Sequence, residues 1–140
     1  MDKANDRVTL HPRLVRVGDS RVRGAGSRGV SGSATGGKGR MSRRALAVRS
    51  VQVAIHRLGG KRCSWIASTA GRTRALKASR HGCTRKVWMT AAGGRSWHLS
   101  LQRSLPRGRY EAYSRAVIGA GFAEGRFSRG DGNLVRFRVG

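Results

Sequence analysis

Carboxylates are scarce in this chain. Six Asp and Glu face thirty Lys and Arg in 140 residues, for a net charge of +24. The six acids stand apart along the chain, and three of them lie within the first nineteen residues. Paired carboxylates for acid–base or glycosidic chemistry are therefore not visible. Long apolar runs are missing as well. No segment approaches the roughly 18–20 residues that a helix needs to cross a bilayer. The opening Met1-Asp2-Lys3-Ala4-Asn5-Asp6-Arg7 has no apolar core, so no signal peptide is visible. The chain is expected either to be cytosolic or to lack its original N-terminus. No G-x-S-x-G occurs, and the four His fall in unrelated segments. These absences predict a non-enzyme with no cofactor and no membrane span.

Aromatic residues are few, at 6% of the chain. Three Trp with scattered Val, Leu and Ile must fill the core. Helical periodicity is almost absent, and only residues 42–48 suit a helical turn.

What the chain does have is alternation. Trp97, Leu99 and Leu101 alternate with His98, Ser100 and Gln102, the period-2 pattern of a half-buried strand. His98 then faces solvent. Leu105-Pro106-Arg107-Gly108 supplies turn chemistry, because Pro fixes φ and Gly accepts φ > 0. Tyr110, Ala112, Ser114 and Ala116 next share one face, with Ser114 polar where an apolar residue is expected. Glu111, Tyr113 and Arg115 share the other face, where Tyr113 is expected to tolerate truncation. Val51, Val53 and Ile55 mark a strand that ends at Gly59-Gly60. A second strand returns over 61–66, with Cys63 and Trp65 on one face. Val87 to Thr90 reads as a short strand, and Val135, Phe137 and Val139 as the last. Trp65, Trp88 and Trp97 are expected in the core rather than as platforms for single-stranded nucleic acid.

Other stretches read less regularly. Val8, Leu10 and residues 14–17 suggest one edge strand broken at Pro12. Residues 18–44 are rich in Gly, Ser and Arg and predict a loop or flexible arm, with a weak strand at 30–35. Residues 67–81 predict an extended loop. About seven short strands with almost no helix predict an all-β antiparallel sandwich over residues 8–140, after a frayed 1–7.

The charge draws polyanions such as nucleic acid, anionic surfaces and acidic glycans. It has two readings: drift toward residues with GC-rich codons, or selection for polyanion binding. Gly24-Ala25-Gly26-Ser27-Arg28-Gly29 is a literal G-x-G-x-x-G, but no hydrophobic strand precedes it and no amphipathic helix follows. Gly37-Lys38-Gly39 lacks the Ser or Thr of a phosphate loop. Cys63 and Cys83, twenty residues apart, are compatible with one disulfide. Free thiols remain open, as does a metal site with His56 and His81.

The ordered set of motifs resembles the bacterial immunoglobulin-like modules of secreted actinobacterial-type proteins. It comprises Val30-Ser31-Gly32-Ser33-Ala34, Val51-Gln52-Val53-Ala54-Ile55, Cys63-Ser64-Trp65, Cys83, Trp97-His98-Leu99-Ser100-Leu101, Leu105 to Tyr110 and Asn133 to Val139. The resemblance implies a tyrosine corner at Leu105, Gly108 and Tyr110, with the Tyr110 hydroxyl bonded to upstream backbone. It also implies an Ig-like sandwich and a local Cys63–Cys83 staple. Ile118 and Phe122 stand where these modules usually have Asp and Asn, which leaves no cation contact expected at that end. The function implied is a non-catalytic structural, adhesion or spacer module of an extracellular or cell-envelope protein. Its partners would be other domains of a longer protein or a polyanionic cell surface. The alternative is a basic nucleic-acid-binding protein, with non-specific binding through its positive surface.

Overall fold

Alternating apolar and polar residues become strands along most of the chain. A computed structural model describes residues 7–10 and 13–140. Two short strands come first, β1 (Arg7–Leu10) and β2 (Arg13–Arg16), and they pair with each other. The single edge strand expected around Pro12 is therefore two. Proline has no N–H for a ladder, and Leu10 is the Cα partner of Arg13. Pro12 itself lies outside the described residues, as do 1–6 of the stretch expected to fray.

β3 (Asp19–Gly26) and β4 (Gly29–Thr35) form an antiparallel hairpin. This corrects the expected arm: residues 19–35 are paired sheet, including the weak strand at 30–35. Glycine-rich composition hid the period, because small residues line the inner face. Ser20, Val30 and Ala34 are buried there. Gly32 has a specific cause. It is the Cα partner of Trp97, and a Cβ at position 32 would stand 2.4 Å from the indole. Only a residue without Cβ admits the ring.

One helical turn follows, α1 (Arg43–Leu46), whose N-cap Ser42 accepts from the Ala45 N–H at 3.1 Å. Then come β5 (Val48–Arg57), β6 (Cys63–Ile66) and β7 (Thr73–Leu76). After them run β8 (Met89–Thr90), β9 (Ala92–Gly93) and β10 (Ser96–Ser100). The longest strand is β11 (Gly108–Ile118), and β12 (Leu134–Val139) is the last. Twelve strands thus replace the expected seven or so among the described residues. The additions are the eight-residue β3, the split of the first strand into β1 and β2, and short pieces. One is β7, whose pattern of exposed Thr, Arg and Ala carries no apolar period.

Apart from the separate β1–β2 pair, the strands build two antiparallel sheets that face each other. One has the order β3-β4-β10-β9; the other has β12-β11-β5-β6-β7, with β8 paired to β5. The fold is an all-β sandwich. Val51, Val53 and Ile55 of β5 and Tyr110, Ala112 and Ala116 of β11 pack against Val30, Trp97 and Leu99 of the opposite sheet. Leu105 closes the same core.

A second apolar cluster lies on the outer face of the larger sheet. Ala54, Cys63 and Trp65 are buried there against Leu76, Cys83, Val87, Trp88 and Tyr113. Trp65 and Trp97 are both buried, as expected of core residues, but Trp65 lies in this outer cluster rather than between the sheets, and Trp88 is only partly buried. On β6 it is Ile66 that points inward, so Trp65, one residue away, points outward. Tyr113 lies on this outer face. It faces away from Tyr110, but the outer face is covered and Tyr113 is half-buried.

Candidate functional site

The pairing register draws one line of side chains across the outer face of the larger sheet. Arg136 of β12 is opposite Glu111 of β11, Glu111 opposite His56 of β5, His56 opposite Trp65 of β6, and Trp65 opposite Arg74 of β7. All have outward parity, so they form one rung.

Glu111 is the centre of this rung. Its side chain is 10% exposed, and His56 Nε2 lies 2.8 Å from Oε1. Arg136 Nε donates to Oε2 at 2.8 Å, and the Tyr113 hydroxyl donates to Oε1 at 3.1 Å. Burial pushes the carboxyl up. The hydrogen bonds from His56, Arg136 and Tyr113 outweigh burial and hold it below the usual carboxylate range. Burial, with the nearby Glu111 charge, pushes the Tyr113 phenol up in turn.

Aromatic rings and cations continue the patch. His56 stacks on Trp65 with centroids 4.5 Å apart. His56 Nδ1 and Trp65 Nε1 are buried without a hydrogen-bond partner among the described residues. Tyr113 meets Phe127 edge-on at 5.6 Å. Lys86 sits over the Tyr113 ring at 4.7 Å, and Arg115 over Trp88 at 4.1 Å. Burial lowers the Lys86 pKa, and the Arg115 charge adds to the effect. The arrangement saturates its one carboxylate with donors. A carboxylate so held is a fixed acceptor that locks three strands together, not a proton acceptor poised for a substrate.

The disulfide holds the lid over this patch. Cys63 and Cys83 are bonded, with Cα atoms 5.6 Å apart, and no described cysteine is free. The free-thiol and metal readings of these cysteines are thereby corrected, since bridged sulfurs offer no thiolate. Among the described residues no three His, Cys, Asp or Glu are placed to hold a metal ion.

The corner residues lie at the other side of β11. Leu105 donates its N–H to Ser27 O at 2.8 Å. Gly108 opens β11, and the Tyr110 hydroxyl donates to Pro106 O at 2.6 Å, four residues upstream. Tyr110 also stacks on Phe137 at 5.5 Å.

Sequence reasoning missed Glu111, His56 and Arg136 as a unit. His56 and Arg136 stand 55 and 25 residues from Glu111 in the chain, and only strand order joins them. It also missed buried Glu124, which accepts from Ala116 N–H at 2.7 Å and from Asn133 Nδ2 at 3.4 Å. The one hint was an acid in a chain nearly without them. Residues 20–110 hold no acid and 21 of the thirty Lys and Arg. The basic surface is therefore unneutralised by sequence neighbours over most of the fold.

No protein-family model, no curated protein and no solved structure matches the chain. No helix among the described residues is long and apolar enough to cross a membrane.

Proposed function

We propose that the chain is a non-catalytic, immunoglobulin-like structural module, a spacer or adhesion unit of an extracellular or cell-envelope protein. The observation that carries this reading is the Cys63–Cys83 bridge across the outer face of the sandwich. Disulfides persist in oxidising compartments and are rare in the cytosol. Further support comes from the corner, where Tyr110 bonds to the Pro106 carbonyl as the tyrosine of Ig-like domains bonds to upstream backbone. A rigid sandwich with such a staple suits presenting or spacing other domains of a longer protein.

A second reading rests on the acid-free span from 20 to 110. A surface of that charge binds nucleic acid and other polyanions through counterion release, whatever its biological role. Cell fractionation with thiol alkylation before lysis separates the two. Bridged cysteines in the envelope or secreted fraction support the module. Alkylated, reduced Cys63 and Cys83 in the cytosol would sink it and favour the nucleic-acid binder.

A further inference from the structure

One end of the larger sheet concentrates positive charge in a concavity. β5 ends there at Arg57, β11 begins after Arg107, and Arg138 is the next-to-last residue of β12. Arg57, Arg107, Arg109 and Arg138 line a cleft of about 410 Å³. The register makes Arg109 and Arg138 direct cross-strand partners. Like charges so placed repel. Gly140, the last residue of the chain, also lines the cleft, and the acidic side chain of β11, Glu111, is already bonded to His56 and Arg136. No carboxylate among the described residues is ion-paired with any of the four arginines.

The cleft is also built rather than incidental. Arg57 Nη2 donates to the Arg107 carbonyl at 2.6 Å, which fixes one fork in place. Gly108 makes the room: a Cβ there would stand 2.8 Å from Arg57 Nε. Among the described residues no acceptor is bonded to the side chains of Arg107, Arg109 or Arg138. Guanidinium forks match the oxygens of a phosphate bidentately.

We propose that this cleft is a phosphate-binding site that takes a phosphate group, either free or within a phosphodiester chain. The oxyanion lies between Arg109 and Arg138 and removes their repulsion. This goes beyond the module reading and does not depend on it.

The test uses the full chain with two probes, inorganic phosphate and a short fluorescent oligothymidylate, at physiological ionic strength. R109Q/R138Q removes two forks from the cleft. R74Q/K77Q removes the same charge from the exposed β7 side. Oligothymidylate Kd should rise roughly tenfold or more in the cleft variant and under about threefold in the control. The slope of log K against log salt should fall by about 1.4 in the cleft variant alone. Phosphate that raises the thermal midpoint of wild type, but not of R109Q/R138Q, places the free ion in the site. An effect of the oligonucleotide alone places a phosphodiester there; both outcomes support the proposal. Equal weakening in the two double variants, or none in R109Q/R138Q, overturns it, because net charge then explains all binding.

Discussion

Ser20 and Ser114 meet hydroxyl to hydroxyl, 2.7 Å apart, between the two sheets. Ser20 belongs to β3 and Ser114 to β11, and both are at most 1% exposed. The polar residue at the inward position of β11 thus has a polar partner contributed by the opposite sheet. Ser114→Ala alone should leave the Ser20 hydroxyl buried and unpaired, at about 1–3 kcal/mol. The double change to Ala should restore most of that loss, since both polar groups go together. Urea melts of the four forms give the coupling energy, and additive losses would argue against a paired role.

Tyr110 and Tyr113 should differ in kind rather than only in degree. Tyr110→Phe keeps the ring and loses the bond to Pro106 O, at about 0.5–1.5 kcal/mol. Tyr110→Ala empties a core site, at roughly 3–5 kcal/mol. Tyr113→Ala should fall between the two, at about 1.5–3 kcal/mol, because its ring packs under Lys86 and against Phe127. Urea melts rank the three. A Tyr113→Ala loss above that of Tyr110→Ala would show the outer cluster to be the more important one.

Reduction should loosen the outer cluster before the core. The bridge closes a loop of 20 residues, worth about 3 kcal/mol in the chain-entropy account. Trp65 belongs to that loop and packs in the outer cluster, whereas Trp97 lies between the sheets. Mild dithiothreitol should therefore lower the melting midpoint and red-shift part of the tryptophan emission. Unchanged emission in the reduced form would mean that the loop stays in place without its staple.

Acid should destabilise the fold through Glu111. Its folded pKa lies below the usual range, because three donors hold the charged form. Unfolded Glu titrates near about pH 4.3. The ionised form is therefore the stabilising one: its contribution is complete above that value and is lost as pH falls through the folded pKa. Glu111→Gln should cost about 1–3 kcal/mol at neutral pH and flatten the acid limb of the stability curve. Equal steepness in variant and wild type between neutral and strongly acid pH would assign the acid sensitivity to other carboxylates.

Much of the fold is legible in the residues themselves. Period-2 alternation places β5, β10, β11 and β12, because a strand with one face on a core must repeat every two residues. Gly59-Gly60 and the Leu105–Gly108 turn separate neighbouring strands for local conformational reasons. The even cysteine pair allows a bridge. Composition alone establishes the charge.

Tertiary structure decided the rest. Alternation says that Cys63 and Trp65 share a face, but not which face turns inward when a loop covers the outer one. Trp65 therefore sits in the outer cluster beside the disulfide and Ile66 in the core between the sheets. Gly-rich residues 19–35 are sheet because Trp97 needs the space that Gly32 leaves, a requirement set by a strand more than sixty residues away. The rung from Arg136 to Arg74, the Ser20–Ser114 pair and the arginine cleft all depend on strand order and register. Those are properties of pairing between distant segments, and no local pattern of side chains encodes which segments become neighbours.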